Sequence, residues 1–275
     1  MKLTDSQIRN FRTFGFLKLP GLLSADEIDK CRQELDLSMP PPTHNGSNGS
    51  NGSNGSPNGQ GRDRSVKGGG LNDFAMLSDA PTPFTASLLD DDRFADVAQQ
   101  LLGRPVLGVS TNGRIWRGDT QWHPDMAELG FTGMRFAIYL DPLTADNGAL
   151  RFVPGSHVDP LFSQMSRDVP GTFGVEGADL PAYVCECETG DVIVFHLAIW
   201  HAAFNGSARR QAQLVYYEDP STPELQQQAR EQFEAADKRM KEYGLPGWFS
   251  PYWQSVPDER HQQWVSRARE LGLVR

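Results

Sequence analysis

Cysteine is scarce in this 275-residue sequence, which has only Cys31, Cys185 and Cys187. An odd number of cysteines, with no apolar leader segment after Met1, predicts free thiols and a cytoplasmic protein. Long apolar runs are missing as well, and none reaches the roughly 18 residues that a membrane-spanning helix requires. We therefore expect neither a disulfide framework nor a transmembrane segment.

Basic residues are outnumbered, with 26 lysines and arginines against 35 aspartates and glutamates and a net charge of −9. Nucleic acids and anionic membrane surfaces select proteins with clustered positive charge. The composition therefore predicts that the chain binds neither of them. It gives no information on the oligomeric state.

Apolar side chains are nearly missing from residues 40–70, where Val66 is the only one and nine of the 27 glycines lie. Such a segment buries too little apolar surface to offset the entropy lost when it is ordered. We expect a flexible loop there, which is either a tolerated insertion or a mobile lid over a site.

The remaining sequence predicts a β core between helical flanks. Capping boxes at Thr4 and Ser24 predict two helices within residues 1–39. Apolar and polar residues alternate between 105 and 218, in segments separated by Gly, Pro and Asn turns: 106–116, 134–140, 149–153, 183–188, 191–196, 199–204 and 210–218. Helical periodicity returns at about 222–241 and about 257–271.

Many short strands of this kind are typical of a sandwich or barrel of the jelly-roll type. We therefore expect a mainly β fold with helical flanks. The expected organisation is a single domain over residues 1–275, with the 40–70 loop, a β core over 105–218 and C-terminal helices over 222–275.

Four of the six histidines fall in the predicted β core, and His123 is followed by Asp125. Residues two apart on a strand point to the same face, so this imidazole and this carboxylate can form two corners of a metal site. A further histidine would complete the two-histidine, one-carboxylate triad that binds Fe(II) and leaves positions open. His157, His196 and His201 are all possible third ligands, and a His–Asp hydrogen bond without metal is the alternative. The two histidines outside the predicted β core, His44 and His261, are expected to be exposed to solvent.

Asn205-Gly206 is a typical two-residue hairpin turn. If these residues form the loop, His201 pairs with Arg210 on one face of the sheet, and Arg209 points to the other face. An imidazole ligand beside a guanidinium suits a metal-chelating dicarboxylate, whose distal carboxylate accepts the bidentate fork of arginine. An exposed arginine with no such role is the alternative.

Together these motifs resemble the phytanoyl-CoA dioxygenase family of Fe(II)/2-oxoglutarate-dependent oxygenases, over about residues 3–218. The resemblance lies in Phe14–Ser24, the His123-Pro-Asp125 motif, the Asn147–His157 segment (NGALRFVPGSH) and the block from Gly190 to Ala212. The order of the four motifs is more specific than any one of them.

The resemblance implies a double-stranded β-helix (jelly-roll, cupin-like) core that holds Fe(II) on His123, Asp125 and His201. It implies 2-oxoglutarate and O2 as cosubstrates, with Arg210 on the distal carboxylate of 2-oxoglutarate. The nine-residue spacing from His201 to Arg210 is slightly shorter than usual in the family, which leaves Arg209 as the alternative. Gln121, two residues before the first ligand, can reach the cosubstrate or the substrate. Two histidines are implied to be a structural turn residue and a core residue behind the ligands, respectively: His157 and His196.

The implied reaction is hydroxylation of a small metabolite with release of succinate and CO2. Related halogenases have a small residue where this chain has Asp125, so the carboxylate favours hydroxylation, or desaturation or ring chemistry by the same oxidant. Two alternatives stay open. One is a cupin-like metalloenzyme that does not use 2-oxoglutarate and would not need Arg210, and the other is a non-catalytic jelly-roll binding module.

Overall fold

A computed structural model describes residues 1–39, 61–63, 71–77, 82–168, 177–206, 208–242 and 245–274. In these ranges the chain forms two antiparallel sheets with flanking helices. The strands are β1 (Phe16–Leu19), β2 (Gly61–Asp63), β3 (Leu71–Met76), β4 (Val106–Arg117), β5 (Thr120–His123), β6 (Gly133–Tyr139), β7 (Leu150–Phe152), β8 (Tyr183–Cys185), β9 (Val192–His196), β10 (His201–Ala203) and β11 (Ala208–Glu218). The helices are α1 (Asp5–Phe14), α2 (Ala25–Ser38), α3 (Pro83–Ser87), α4 (Asp92–Leu102), α5 (Leu161–Asp168), α6 (Pro223–Glu242), α7 (Pro251–Ser255) and α8 (Glu259–Glu270).

The larger sheet has seven strands in the order β1-β9-β6-β11-β4-β3-β2 and is built around its two long strands. β4 and β11 pair along their whole length, from Arg117 opposite Ala208 to Val106 opposite Glu218. The period-two pattern is clearest in such long strands, because successive side chains point to opposite faces.

The smaller sheet has four strands in the order β5-β10-β7-β8, each of three or four residues. β10 lies in its middle, where His201 is opposite both His123 on β5 and Phe152 on β7. β5 ends immediately before Pro124, which has no N–H to donate to a neighbouring strand.

The two faces of the larger sheet have different surroundings. Met134, Phe136 and Ile138 of β6 lie in the main hydrophobic core with the flanking helices, where Phe136 meets Phe94 of α4 edge-on at 5.4 Å. Arg135 and Tyr139, the alternate residues of β6, line a cavity between the sheets. The predicted alternation along this strand is confirmed, and it separates an apolar outer face from a partly polar inner one.

Both predicted N-terminal helices begin at their capping boxes, on Thr4 and Ser24. Gly15 ends α1 in the left-handed region, with φ of 85°. A Cβ atom at this position would lie 2.6 Å from Nδ1 of His157. The glycine is therefore required by its backbone and by the close approach of that imidazole, which gives His157 its structural role in the turn.

Some elements differ from the sequence-based expectation. In the low-complexity segment 40–70, Gly61–Asp63 form strand β2 at the edge of the larger sheet, whereas the rest of the segment, including His44, lies outside the described residues. The amphipathic helix α4 was not predicted. The prediction that His261 is solvated is wrong, because it is 2% exposed and its ring bonds Asp90 at 2.8 Å.

All three cysteines are buried as free thiols, as expected. Cys185 and Cys187 lie in the hydrophobic cluster between the sheets, in agreement with a packing role. Over the described ranges, no helix combines the length and the apolar character needed to cross a membrane.

Candidate metal centre and active site

His123, Asp125 and His201 come together at the edge of the smaller sheet. The two histidines are cross-strand partners on β5 and β10, with ring centroids 4.4 Å apart. Asp125 follows the end of β5, where its backbone N–H donates to the Leu197 carbonyl at 2.8 Å. One ligand atom from each of the three side chains lies within 4.8 Å of the others. The structure thus brings all three predicted ligands into one cluster.

Backbone carbonyls fix the orientation of both imidazoles. Nδ1 of His123 lies 2.7 Å from the Gln121 carbonyl, and Nδ1 of His201 lies 2.9 Å from the Ile199 carbonyl. A carbonyl oxygen can only accept, so each Nδ1 carries a proton, and Nε2 is the nitrogen whose lone pair can bind a metal when the ring is neutral. Metal-binding histidines are commonly held in this way.

The electrostatics of the cluster favour a neutral imidazole at His201 and a carboxylate anion at Asp125. Burial lowers the pKa of His201 to about 4, so its ring is neutral near pH 7. Burial by itself would raise the pKa of Asp125, but the surrounding positive groups, of which Arg135 has the largest effect, together outweigh it and the pKa lies below its usual value. Nη1 of Arg135 is 3.1 Å from Oδ2 of Asp125.

The donor set fits a divalent non-haem metal such as Fe(II), with two imidazole nitrogens, one carboxylate and room for further ligands. Oδ2 of Asp125 is buried and, despite the nearby guanidinium, makes no hydrogen bond of acceptable geometry. Such a buried atom is costly in a protein unless another group, here a cation, interacts with it.

A cavity of about 190 Å³ extends from the triad into the space between the sheets. Arg209 of β11 lines it and is only 2% exposed. Its guanidinium donates to the carbonyls of Gly118 at 2.7 Å and Gly148 at 3.3 Å, and to Oγ1 of Thr120 at 3.1 Å. Nε of Arg209 is buried without a partner, and burial lowers the pKa of the side chain. The cavity therefore contains a buried cation whose hydrogen-bond partners are neutral.

Two glycines leave space for this arginine. A Cβ atom on Gly148 would lie 2.6 Å from Cδ of Arg209, and one on Gly206 would lie 2.9 Å from its Nε. Both glycines belong to Asn-Gly pairs, Asn147-Gly148 and Asn205-Gly206. The pairs that look like turn signals in the sequence are thus also the places where the backbone passes close to Arg209.

The predicted pairing of His201 with Arg210 is wrong. β10 and β11 belong to different sheets, and Arg210 lies opposite Ile115 of β4. The Asn205-Gly206 turn joins the two sheets instead of closing a hairpin, and the Asn205 N–H donates to Asp119 at 2.8 Å. Arg210 points away from the cavity and forms a bidentate pair with Asp141 at 2.9 and 3.0 Å.

Gln121 is exposed on β5 and does not line the cavity, although its carbonyl orients His123. His196 lies at the end of β9, where its ring bonds Oγ1 of Thr132 at 2.8 Å and accepts the N–H of Ala198 at 3.1 Å. Neither His196 nor His157 belongs to the triad cluster.

Sequence reasoning missed several residues of the cavity wall. They are polar or aromatic side chains on the inner face of the larger sheet: Arg135, Tyr139, Gln211 and Gln213. The signal that could have found them is the alternation itself, because Arg135 and Tyr139 share one face of β6, and Gln211 and Gln213 share one face of β11.

Residues 11–212 match the phytanoyl-CoA dioxygenase family. The chain belongs to this family. It is a 2-oxoglutarate-dependent non-haem iron dioxygenase, and the family uses Fe(II), 2-oxoglutarate and O2. The predicted family and jelly-roll fold are confirmed, and the enzyme is favoured over the cupin-like and binding-module alternatives.

Two curated relatives and two solved structures illustrate the similarity. L-proline trans-4-hydroxylase of Streptomyces griseoviridis is 26% identical over 78% of this chain and 85% of its own length. The multifunctional dioxygenase prhA of Penicillium brasilianum is 24% identical over 72% of this chain and 66% of its own. The α-ketoglutarate-dependent epimerase SnoN from nogalamycin biosynthesis superposes with a TM-score of 0.59, at 20% identity over 81% of this chain and 86% of that one. HygX of Streptomyces hygroscopicus, with nickel and 2-oxoglutarate bound, gives a TM-score of 0.57 at 19% identity, over 82% of this chain and 94% of that one. These structures share the fold.

Proposed function

We propose that His123, Asp125 and His201 bind Fe(II) and that Arg209 binds the distal carboxylate of 2-oxoglutarate, in an enzyme that hydroxylates a small molecule. The observation that carries this proposal is one cavity lined both by the triad and by a buried arginine. Arg209 replaces Arg210 in this role because only Arg209 points into the cavity.

Fe(II) with 2-oxoglutarate and O2 supplies, when bound, an oxidant for C–H bonds and releases succinate and CO2. The chain's own contribution is to hold the ligands in place before binding. The two backbone carbonyls turn Nε2 of each imidazole toward the cluster, and Arg135 has the largest effect among the positive groups that favour the ionised Asp125 carboxylate. Ligands fixed in this way lose little freedom when the metal binds.

Arg209 presents a planar, charged fork to the far end of the same cavity. Its contacts with Gly118, Gly148 and Thr120 hold the guanidinium without neutralising it. A carboxylate that reaches it gains charge-assisted hydrogen bonds away from bulk water. This arrangement selects a metal chelator that has a second carboxylate.

Hydroxylation is proposed for two reasons. Asp125 is a carboxylate at the position where related halogenases have a small residue, and one relative is a hydroxylase. A single domain over residues 1–275 is also proposed, since the main hydrophobic core includes side chains from Leu3 to Val274. A small-molecule substrate is supported by the hydroxylase relative, which is named for L-proline.

The adjacent arginines allow a matched test of the cosubstrate site. Fe(II) and then 2-oxoglutarate are added anaerobically to the wild type, Arg209→Ala and Arg210→Ala, and the visible charge-transfer band of the chelate is titrated. Removing a buried partner of a charged group costs about 2–5 kcal/mol, so Arg209→Ala should need at least about thirtyfold more 2-oxoglutarate. Arg210→Ala should titrate like the wild type.

The opposite ranking would return the role to Arg210. A wild type that binds iron but shows no band would contradict the use of 2-oxoglutarate, and failure to bind iron would contradict the triad.

A further inference from the structure

A second, larger cavity of about 420 Å³ adjoins the metal centre. It lies between the inner face of the larger sheet and helix α6, and it shares Arg114, Asp125 and Arg135 with the first cavity. Asp125 is therefore at the junction of the two spaces. A molecule in the second cavity would lie beside the metal without occupying the position in front of Arg209.

Three guanidinium groups line this second cavity: Arg114 of β4, Arg135 of β6 and Arg239 of α6. Among its described lining residues, Asp125 is the only acidic side chain, and it is already assigned to the metal. Nε of Arg135 is buried with no hydrogen-bond partner. Arg114 stacks on the ring of Phe74 at 4.6 Å, which fixes its position in the wall. The described lining thus contains three arginines and one carboxylate, in a chain that is negative overall.

The opposite wall is aromatic and apolar. Phe233 of α6 contacts Tyr217 edge-on at 5.2 Å and Trp248 at 6.1 Å, and Met240 and Leu245 complete the wall. Pockets that combine an apolar wall with a few charged groups bind small molecules by the body and orient them by the polar end. The volume is at the low end of the range of about 300–1,000 Å³ for such sites.

We propose that this second cavity is the substrate site and that the substrate is a small molecule with a carboxylate group and an apolar body. The carboxylate faces the arginines, and the body packs on Phe233 and Trp248. A carboxylate fits better than a phosphate dianion, because Arg135 already faces Asp125 and is not fully available. The inference rests on the proposed function, since it takes the triad as the reacting centre.

Helix α6 strengthens the inference, because it lies beyond the residues that match the family, which end at 212. It supplies both the cation Arg239 and the aromatic Phe233. The shared part of the family holds the metal and the cosubstrate, whereas this part of the chain covers the second cavity.

The test compares three probes with the same ring: phenylacetate, phenylacetamide and phenyl phosphate. The protein is loaded anaerobically with Fe(II) and saturating 2-oxoglutarate, so that Arg209 is occupied, and each probe is titrated by calorimetry. A charge-assisted hydrogen bond is worth about 1.5–3 kcal/mol, so phenylacetate should bind at least about tenfold more tightly than phenylacetamide. Arg239→Gln and Arg114→Gln should each reduce this preference to about threefold or less.

Arg230→Gln is the matched control, because Arg230 lies on the same helix, bonds Gln227 and does not line the cavity. It should keep the full preference for the acid. Equal binding of acid and amide, or a preference that survives both cavity variants, would overturn the inference. Tighter binding of phenyl phosphate than of phenylacetate would overturn the proposal that the substrate has a carboxylate group.

The charge-transfer band is recorded on the same samples. It distinguishes a wrong substrate class from a wrong assignment of the cosubstrate site. A normal band without any preference for the acid rejects only the substrate class. A missing band rejects the cosubstrate assignment on which the inference rests.

Discussion

The two sheets contribute to the site in different ways. The smaller sheet, with strands of three or four residues, positions the proposed metal ligands, and the larger sheet, with strands of up to 12 residues, supplies the arginine proposed to bind the cosubstrate. In the first case two cross-strand neighbours, His123 and His201, meet because β5 and β10 pair. In the second case Arg209, Gln211 and Gln213 share a face because they alternate along β11.

This difference shows that residues brought together by alternation along one strand are easier to predict from a sequence than residues brought together by pairing of two strands. Alternation within a strand can be read directly from consecutive residues, but pairing between strands cannot. The metal ligands therefore need the fold, or a resemblance to a family, before they can be chosen. The following experiments test how far this division between the sheets extends.

The largest effect is expected at the metal centre of the smaller sheet. Asp125→Ala removes the only anionic ligand and leaves Arg135 without its partner. We expect the variant to lose metal binding and turnover. The purified protein should contain no iron and should release no succinate. Asp141→Asn is the control, since Asp141 pairs with Arg210 outside the cavity. Retained activity in Asp125→Ala would disprove the triad.

A smaller effect is expected from His196, on the larger sheet. Burial lowers its pKa to about 3, below the ordinary 6.5, so the unfolded state binds more protons below pH 6.5 and stability falls on acidification. Each pH unit between those two values costs about 1.4 kcal/mol. Between pH 7 and pH 5, the loss of unfolding free energy measured in urea should be about 2 kcal/mol smaller in His196→Gln than in the wild type, because the lowered pKa of His201 acts in both proteins. The same loss in the variant would assign the pH dependence elsewhere.

The smallest effect is expected from Gln121, whose exposed side chain does not line the cavity. Gln121→Ala keeps the carbonyl that orients His123. The titration with 2-oxoglutarate and the stability should both stay within about 0.5 kcal/mol of the wild type. A clear loss of affinity for 2-oxoglutarate would restore the predicted role in cosubstrate binding.

Much of the fold could be predicted from the sequence, because apolar and polar residues alternate along the long strands and capping boxes mark the first turns of helices. β4, β6, β9 and β11 lie where the alternation is continuous, and α1 and α2 begin at their capping boxes. Helix α8 shows the limit. Its charged sequence indicates a solvated surface, yet His261 is buried between Trp253 and Trp264.

The choice between Arg209 and Arg210 shows why part of the site could not be predicted. Adjacent residues point to opposite faces, so an error of one position in the register exchanges the two side chains completely. Asn205-Gly206 is a strong local turn signal, but a turn does not reveal whether the next strand remains in the same sheet. Here it does not, because β10 and β11 separate at this point.

Helix α6 makes the selection of substrate a separable property of this enzyme. The residues proposed to bind iron and 2-oxoglutarate precede it in the chain, and of the two cavities it lines only the second. Changes in α6 can alter which molecule is oxidised while the oxidising machinery stays intact. Directed evolution of the enzyme for new acids would therefore begin with a library at Gln232, Phe233, Ala236 and Arg239, leaving both sheets unchanged.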